Sequence, residues 1–545
     1  MEIKKPALEV RETLRRSGNQ LLVLLFPLAI IDGIYSLQFI ALDILASVTA
    51  AIFLLDFFLN DREGFSRLEL ETRHVYAFLA FLVIAGLLVR VYGLGAQSMW
   101  FDESLTANAA KGIIETGKPV MPSGETYWWG ITYTALAAVS AKVLGFTDFA
   151  LRLPSAFLGA ATIPLVYLLG SDMFDRKTGA IAAALVTFLT WEIAWSRQAR
   201  MYQLTQFLYT ATLLAIYRLE EDFKSGLVTV LGALLLLGAF THKILYAMPI
   251  VAGAYIVYSR LEERDLSPRK LLLAGAASLA SMAVIGRYGL EYSEIFSRLG
   301  GRAVNHWPSY SSWMMSNISP LLLLGTVGAA LPFHRSKRKE GVLLLLATVP
   351  MAYVVSFHLM LVGSRYLYFL VPPLAIWTAL SIDQIFNYLS PYIRDYFQPE
   401  LLLVALTALV LLAGGFTLVP KQNYDLGINA PQPDFKSAYN YLGPRLQEND
   451  TLIVGWSAPA YRYLGRQPDY GLRFDMNGRG KYWDTASKGQ IASESDLRSV
   501  INSSAKVWIV LDARARNRQS EGIKSILENL ETVYTAEEIL VKKAG

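Results

Sequence analysis

Two adjacent carboxylates, Asp102 and Glu103, follow the apolar run 75–93 in the segment Met99-Trp100-Phe101-Asp102-Glu103. Acidic residues at the end of an expected membrane span are costly to place, which suggests that they have a use. A carboxylate in this position can act as a general base that takes a proton from an attacking hydroxyl. The alternative is that both residues only begin a helix in a water-exposed loop. We expect Asp102 to be the catalytic base and Glu103 to orient or hydrogen-bond a substrate.

Cationic residues recur in short turns at the ends of expected spans. These turns contain Arg197 and Arg200, His242 and Lys243, and Arg365 followed by Tyr366. They would lie at the same membrane face as Asp102, where positive charge is rarer than in cytoplasmic loops. Cations there suit a phosphate group held at the interface. Alternatively, each cation reaches lipid phosphates or pairs with a carboxylate such as Glu192. We expect the phosphate to be bound by Lys243, Arg365, Tyr366 and Arg200.

Several aromatic and polar residues near these turns are candidates to line the site. They are Trp100, Arg152, Tyr202, His242 and Tyr127. A Tyr or Trp near an interface is more often a membrane anchor than a ligand, so the anchoring alternative stays open for the aromatic members. No Asp-x-Asp sequence occurs in the chain. We therefore expect no cofactor and no dedicated metal site, with a carboxylate site assembled from distant residues as the alternative.

The composition indicates a polytopic membrane protein. Of the 545 residues, 53% are hydrophobic and 17% are charged, whereas soluble domains carry about 25% charged residues. The mean hydropathy is +0.35, and the apolar residues fall in runs long enough to cross a bilayer. The net charge of +5 does not indicate a nucleic-acid partner. The absence of cysteine excludes disulfides, thiolate metal sites and a cysteine nucleophile.

The apolar runs predict about thirteen transmembrane helices, with a cytoplasmic N-terminus and an external C-terminus. The spans are roughly 21–40, 42–59, 75–93, 153–171, 178–196, 203–217, 226–241, 243–259, 270–287, 317–334, 341–361, 366–381 and 400–419. Segment 126–145 decides the topology. If it spans, the basic groups 176–177 and 335–339 lie outside. If it lies in the interface as an amphipathic helix, both groups lie in the cytoplasm, as the enrichment of Lys and Arg in cytoplasmic loops favours.

We expect three parts along the chain: a cytoplasmic segment with a hairpin of spans at 1–60, a transmembrane catalytic domain at 61–420 with an external loop at 95–152, and an external α/β domain at 421–545. In the last part, Thr451–Trp456 and Lys506–Leu511 are short apolar runs typical of buried strands. Helical patterns cover 434–447, 493–503 and 519–531, with Asp434 and Ser493 as expected N-caps. This part lacks a Gly-rich phosphate loop.

Five motifs together resemble the GT-C superfamily of glycosyltransferases. They are Trp100-Phe101-Asp102-Glu103-Ser104, the run 149–156 around Arg152-Leu153-Pro154, the turn Ser196-Arg197-Gln198-Ala199-Arg200-Met201-Tyr202, Thr241-His242-Lys243, and Ser364-Arg365-Tyr366. More narrowly, they are similar to the dolichyl-phosphate-mannose–protein mannosyltransferase-like group. That group includes the bacterial enzymes that place aminoarabinose on lipid A. The resemblance covers about residues 75–385.

The resemblance implies a GT-C-like membrane domain whose first external loop carries the catalytic Asp, here Asp102. It implies a polyprenyl-phosphate sugar as donor and inverting transfer. The acceptor would be a hydroxyl of a protein, lipid or glycan at the extracytoplasmic face of the cell membrane. Lys243, Arg365 and Tyr366 would face the lipid phosphate.

Two features depart from that pattern. Many relatives have a second Asp where this chain reads Arg197–Tyr202, so metal use and sugar recognition inferred from that acid do not carry over. The hairpin 21–59 precedes the usual first span. Two other functions stay open. One is a lipid or solute transporter or flippase, for which inverted repeats and charges near mid-membrane would be the signature. The other is a glycan polymerase or ligase that uses a pyrophosphate-linked donor.

Overall fold

A computed structural model describes residues 70–263, 305–357, 363–393, 399–414, 416, 433–472 and 486–545. The predicted spans 21–40, 42–59 and 270–287 lie outside the described residues. The chain divides into two compact units. The described residues of the first unit come from Met1–Arg90, Phe157–Ser196 and Tyr202–Tyr424, and those of the second from Val91–Ala156, Arg197–Met201 and Asp425–Gly545.

The described part of the chain is mainly helical up to residue 413. In chain order the helices are α1 (Leu70–Val91), α2 (Phe101–Thr116), α3 (Ile131–Leu144), α4 (Asp148–Met173), α5 (Arg176–Phe188), α6 (Thr190–Trp195), α7 (Tyr202–Glu221), α8 (Ser225–Thr241), α9 (Met248–Glu263), α10 (Trp307–Asn317), α11 (Ser319–His334), α12 (Arg338–Phe357), α13 (Val371–Ile393) and α14 (Pro399–Ala413). Short 3₁₀ helices occupy Lys243–Ala247, Ser364–Tyr366 and Tyr368–Leu370.

Four helical stretches among the described residues are long and apolar enough to cross a membrane, or five if the bent pair α10–α11 counts as one span. They are Asp148–Met173, Lys243–Glu262, Arg338–Phe357 and Tyr368–Tyr392. Shorter apolar helices lie at Val75–Val91, Ile131–Leu144, Ser225–Thr241 and Leu402–Ala413. These helices indicate an integral membrane protein, and the count of thirteen spans stays a prediction.

The segment 178–196, predicted as one span, consists of two helices, because α5 ends at Phe188 and α6 begins at Thr190. Leu189 between them has an extended backbone, with ψ at 126°. The buried guanidinium of Arg90 donates to the carbonyl oxygens of Val186 and Thr187, at 3.0 and 3.1 Å. Carbonyls in the last turn of a helix have no intrahelical partner. Arg90 therefore satisfies the end of α5 and stabilises the break.

A second break lies at the start of the predicted span 317–334, whose remainder matches α11 (Ser319–His334). Helices α10 and α11 meet at an angle of 105°, and Pro320 lies in the first turn of α11. Within the same unit, α11 packs closely on α13 because two glycines lie at the contact. A Cβ atom at Gly328 would lie 1.8 Å from the carbonyl oxygen of Trp377, and one at Gly325 would lie 2.4 Å from a methyl of Leu374. Small residues allow such close approach between apolar helices.

Basic groups that were expected to share a membrane face also share a partner. Lys177 binds Asp383 at 2.9 Å and Arg335 binds the other oxygen of Asp383 at 3.1 Å. The start of α5 and the junction between α11 and α12 therefore lie at the same end of the first unit. Their placement in the cytoplasm stays a prediction.

The second unit contains α2 and α3 and the C-terminal α/β domain. In chain order the domain consists of α15 (Phe435–Leu442), β1 (Thr451–Val454), α16 (Ser457–Leu464), β2 (Tyr470–Leu472), β3 (Gln490–Ile491), α17 (Glu494–Ser503), β4 (Val507–Asp512), α18 (Ala513–Asn517), α19 (Glu521–Glu528), β5 (Glu531–Ala536) and β6 (Ile539–Ala544). The six strands form one sheet in the order β3-β2-β1-β4-β6-β5. β1 to β4 are parallel, and β6 is antiparallel to both β4 and β5.

The sheet has a core on each face, which explains the continuous apolar runs of its central strands. Leu452, Val454, Trp508 and Val510 pack on one face with Phe435, Tyr439 and Leu442 of α15. Ile453, Ile509 and Leu511 pack on the other face with residues of α17 and α19. The two strands predicted from the sequence are thus the central pair of the sheet, in the register Leu452 opposite Trp508.

Both predicted N-caps of this domain are confirmed. The Asp434 side chain accepts from the backbone N–H of Ser437. The Ser493 side chain accepts from the N–H of Asp496, while the Asp496 carboxylate accepts from the N–H of Ser493. This reciprocal capping box satisfies two donors that a helix N-terminus otherwise leaves unpaired.

Candidate active site

Asp102 occupies the first turn of α2, which begins at Phe101 directly after the extended residue Trp100. The N-terminal end of a helix carries a partial positive charge, which stabilises a carboxylate there. The Asp102 side chain is 20% exposed, and its carboxylate lies 4.0 Å from the guanidinium of Arg200. It is therefore the accessible member of the acidic pair and is available for proton transfer.

Glu103 has a different environment, because its side chain is 0% exposed. One carboxylate oxygen accepts from Arg152 Nε at 2.7 Å and from the backbone N–H of Ala199 at 2.6 Å. The other oxygen accepts from a terminal nitrogen of Arg152 at 2.7 Å. The sequence predicts contact between Glu103 and a substrate. The geometry instead favours a positioning role, since both oxygens are bound by the protein.

Arg152 also fixes the backbone that leads to Asp102. Its terminal nitrogens donate to the carbonyl oxygens of Leu94, Gln97 and Ser98, at 3.0, 2.8 and 3.0 Å. A planar guanidinium with five donors suits this task, because it can bind a carboxylate and several carbonyls at once. The predicted lining residue Arg152 is thus buried beneath the loop and holds its shape.

The turn 197–201 belongs to the same unit and packs against the start of α2. Arg200 donates to the Asp102 carbonyl oxygen, the Thr106 hydroxyl and the Tyr127 hydroxyl, at 3.0, 2.9 and 3.0 Å. The Trp100 indole N–H donates to the Gln198 side-chain oxygen at 2.8 Å. The predicted residues Arg200, Trp100 and Tyr127 are therefore brought together around Asp102. Their burial favours roles in holding Asp102 rather than in lining a cavity.

The other predicted phosphate-binding residues lie in the first unit, where two turns converge on Tyr202. The Tyr202 ring lies 5.9 Å from the His242 ring and 6.3 Å from the Tyr366 ring, measured between centroids. His242 ends α8 and accepts from the N–H of Ile244 through its Nδ1, and Lys243 beside it is exposed. The structure thus joins the His242–Lys243 and Arg365–Tyr366 motifs into one cationic and aromatic cluster.

Arg365 in this cluster is oriented by its neighbour. Its guanidinium lies 4.8 Å from the centre of the Tyr366 ring and donates to the Tyr366 hydroxyl at 3.3 Å. A cation over an aromatic face is held by the ring's charge distribution without losing its own charge. Tyr310 supports the start of this turn, because the N–H of Gly363 donates to the Tyr310 hydroxyl at 3.3 Å. The cluster can therefore present Lys243 and Arg365 to an anion.

Sequence reasoning missed Gln198 and Thr106 as partners of the segment around Asp102. Gln198 lay within a turn that was recognised for its arginines, and nothing in its spacing set it apart. As for metals, the described residues contain no group of three or more His, Asp or Glu side chains that could hold an ion.

The chain was compared with family models, curated sequences and solved structures. Residues 130–286 match the family model described as dolichyl-phosphate-mannose-protein mannosyltransferase. The crystal structures of ArnT from Cupriavidus metallidurans, in the apo state and bound to undecaprenyl phosphate, match with TM-scores of 0.51 and 0.52. Each is 12% identical, and the match covers 86% of this chain and 98% of that chain. The chain therefore shares its fold with this ArnT.

A second kind of protein shares this fold. The archaeal oligosaccharyltransferase AglB from Archaeoglobus fulgidus, in complex with an inhibitory peptide and a dolichol-phosphate, matches with a TM-score of 0.52 and 12% identity, over 85% of this chain and 73% of that chain. No curated protein sequence matches the chain. The shared fold agrees with the fold expected from the five motifs. The family match includes three of them, at Arg152, at Arg197–Tyr202 and at His242–Lys243.

Proposed function

We propose that the protein is an integral membrane glycosyltransferase that moves a sugar from a polyprenyl-phosphate donor to an acceptor hydroxyl on the extracytoplasmic face. The observation that carries this proposal is the placement of Asp102: partly exposed at a helix N-terminus and surrounded by buried groups that fix its position. Support also comes from the shared fold, since one solved ArnT structure holds undecaprenyl phosphate and one AglB structure holds a dolichol-phosphate.

The proposed reaction is a single displacement. The Asp102 carboxylate accepts the proton of the acceptor hydroxyl while the hydroxyl oxygen attacks the anomeric carbon. The bond between that carbon and the phosphate oxygen breaks on the opposite face, so the sugar is transferred with inversion. Polyprenyl phosphate leaves with one more negative charge than it carried as the sugar diester.

That developing charge gives the cations their proposed task. Lys243 and Arg365 bind the phosphate and stabilise the leaving group as its charge grows, in the manner of a preorganised electrostatic site. Tyr366 orients Arg365 through the contacts described above. Arg200 holds the Asp102 backbone and side chain in this scheme, and Glu103 with Arg152 anchors the helix that carries Asp102.

The proposal is tested by an assay of the purified protein in lipid with a panel of radiolabelled polyprenyl-phosphate sugars and a membrane or glycan extract as acceptor. Free polyprenyl phosphate and the anomeric configuration of the product are followed. We expect release from one donor, with an inverted product. Release of polyprenyl pyrophosphate from a pyrophosphate-linked donor instead would favour the polymerase or ligase alternative, and lipid movement without cleavage would favour a flippase.

A further inference from the structure

The backbone that leads to Asp102 is held from outside its own loop by the α/β domain, in contacts that all lie within the second unit. The backbone N–H of Met99 donates to the Tyr463 hydroxyl at 2.7 Å. The N–H of Lys436 donates to the Ser98 hydroxyl at 3.0 Å, and the Lys436 ammonium donates to the Gly95 carbonyl at 3.2 Å. Residues 95–99 are therefore held by Lys436 and Tyr463, which are more than 330 positions away in sequence.

A buried carboxylate, Asp148, connects the same domain to the first turn of α4. It accepts from Arg462 at 2.6 Å and from the Tyr463 hydroxyl at 3.2 Å, and it pairs with Lys436 at 3.3 Å. Arg152, one turn further along α4, binds Glu103. The domain thus holds the loop at Met99 and also the helix from which Arg152 reaches the loop.

Tyr463 must be protonated to serve both partners, since it accepts from Met99 and donates to Asp148. Burial, and after it the charge of Asp148, raises the pKa of the Tyr463 hydroxyl above its ordinary value. The hydroxyl therefore stays neutral and keeps its proton for Asp148 across the whole physiological range.

Helix α2, which carries Asp102, also contacts the α/β domain. The Phe101 ring lies 4.3 Å from the Trp456 ring, between centroids, and the Trp456 indole N–H donates to Asp512 at the end of β4, at 3.0 Å. The Asn108 amide donates to the Ala458 carbonyl at 3.0 Å. Phe101 and Asn108, which precede and follow Asp102 in α2, therefore both touch the α/β domain, and Met99 touches it just before the helix.

We propose that Arg462 and Tyr463 are positioning residues for Asp102, and that the α/β domain is the brace that fixes the catalytic loop. This inference rests on the proposed function. A general base must lie within hydrogen-bond reach of the proton that it takes. A displacement of about 1 Å far from the reacting atoms can cost about 10²-fold in rate. Tyr463 and Arg462 touch neither donor nor acceptor, so their loss should lower turnover without weakening donor binding.

The main test compares Tyr463→Phe with Tyr441→Phe in the full-length protein. Tyr441 lies in the same domain and stacks on Tyr534, so the control makes the same chemical change without touching the loop. For Tyr463→Phe we expect kcat to fall about tenfold or more, with the donor KM unchanged and the protein still folded at the assay temperature. Hydrogen exchange of a peptide that contains Met99 should be faster, because its N–H loses its acceptor. Tyr441→Phe should match the wild type in each measurement.

A second pair, Arg462→Lys and Arg462→Gln, keeps the inference testable if Tyr463→Phe does not fold. Lys retains the charge that Asp148 requires, so Arg462→Lys should keep more of the turnover than Arg462→Gln. If the wild type releases no polyprenyl phosphate from any donor, the proposed function fails. If the wild type is active, but Tyr463→Phe and both Arg462 variants keep its kcat and its exchange rate at Met99, the brace is refuted and the proposed function stands. A raised KM with unchanged kcat would also refute it, because that result indicates substrate contact.

Discussion

At the scale of single residues, the acidic pair shows how two adjacent carboxylates take different roles. Asp102 is partly exposed near Arg200, whereas Glu103 is fully buried and forms a bidentate ion pair with Arg152. The sequence located both residues because an acidic pair after an apolar run is unusual. It could not separate their roles, since the residue that binds Glu103 is 49 positions away and reaches it only in the folded unit.

The buried ion pair between Arg152 and Glu103 leads to a prediction about the stability of the fold. Removing one partner of a buried ion pair leaves a charge without compensation and costs about 3–5 kcal/mol. We therefore expect Arg152→Met to lower the midpoint of thermal unfolding strongly. The double variant Arg152→Met with Glu103→Gln should be less destabilised, because the unpaired charge is gone. Strictly additive losses in this cycle would show that the pair does not couple.

The proposed role of Lys243 and Arg365 leads to a second prediction. The leaving phosphate gains charge during the proposed transfer, so Lys243 and Arg365 should matter more in the transition state than in donor binding. We expect Lys243→Met to lower kcat about 10²–10³-fold, the range for loss of one preorganised donor to a developing charge. Lys224→Met is the matched control, because Lys224 is an exposed lysine that pairs with Asp222. Equal kinetics for the two variants would remove Lys243 from the site.

At the scale of elements, the sequence predicted correctly the helix ends whose determining residues are adjacent in sequence. Asp434 and Ser493 were found as caps because a cap and the helix that it begins are adjacent in sequence. The break at Leu189 was missed because the residue that satisfies it, Arg90, is 97 positions from Thr187. A hydropathy pattern cannot separate one long span from two short helices when a distant side chain supplies the missing hydrogen bonds.

The close packing of α11 on α13 makes an element-level prediction. A methyl group at Gly328 would collide with the Trp377 carbonyl, so Gly328→Ala must push the helices apart. Overpacking of this kind costs about 1–3 kcal/mol. We expect a lower unfolding midpoint for Gly328→Ala. Gly232 in α8 has nothing within 4 Å of an added Cβ, so Gly232→Ala should be neutral or stabilising, by at most about 1 kcal/mol. An equal response of both variants would contradict the packing described here.

At the scale of the whole molecule, the sequence predicts an α/β domain at 421–545, and the described residues 433–472 and 486–545 form helices and strands of that fold class. The compact unit to which the domain belongs also includes residues 91–156 and 197–201. Composition could not predict this grouping, because contacts such as Asn108 with Ala458 join positions 350 residues apart. The sequence thus indicated the loop that carries Asp102 and the α/β domain separately, and only the fold shows that both belong to one compact unit.

The proposed mechanism requires no metal, which leads to a prediction for the intact protein. The leaving charge is assigned to Lys243 and Arg365, so removal of divalent ions should not slow transfer. We expect turnover in excess EDTA to equal turnover in magnesium or manganese buffer. A loss of activity that either ion restores would mean that a metal, and not these cations alone, stabilises the phosphate.

The central claim is that Asp102 is the general base. The turnover and the donor affinity of the Asp102→Asn variant test it most directly. Turnover and donor binding are measured for Asp102→Asn beside Asp222→Asn, which makes the same change at an exposed site. Loss of a positioned general base lowers rates about 10²–10⁴-fold, so we predict that fall in kcat for Asp102→Asn with donor affinity unchanged. Asp222→Asn should behave as the wild type. Turnover by Asp102→Asn at the wild-type rate would contradict the account.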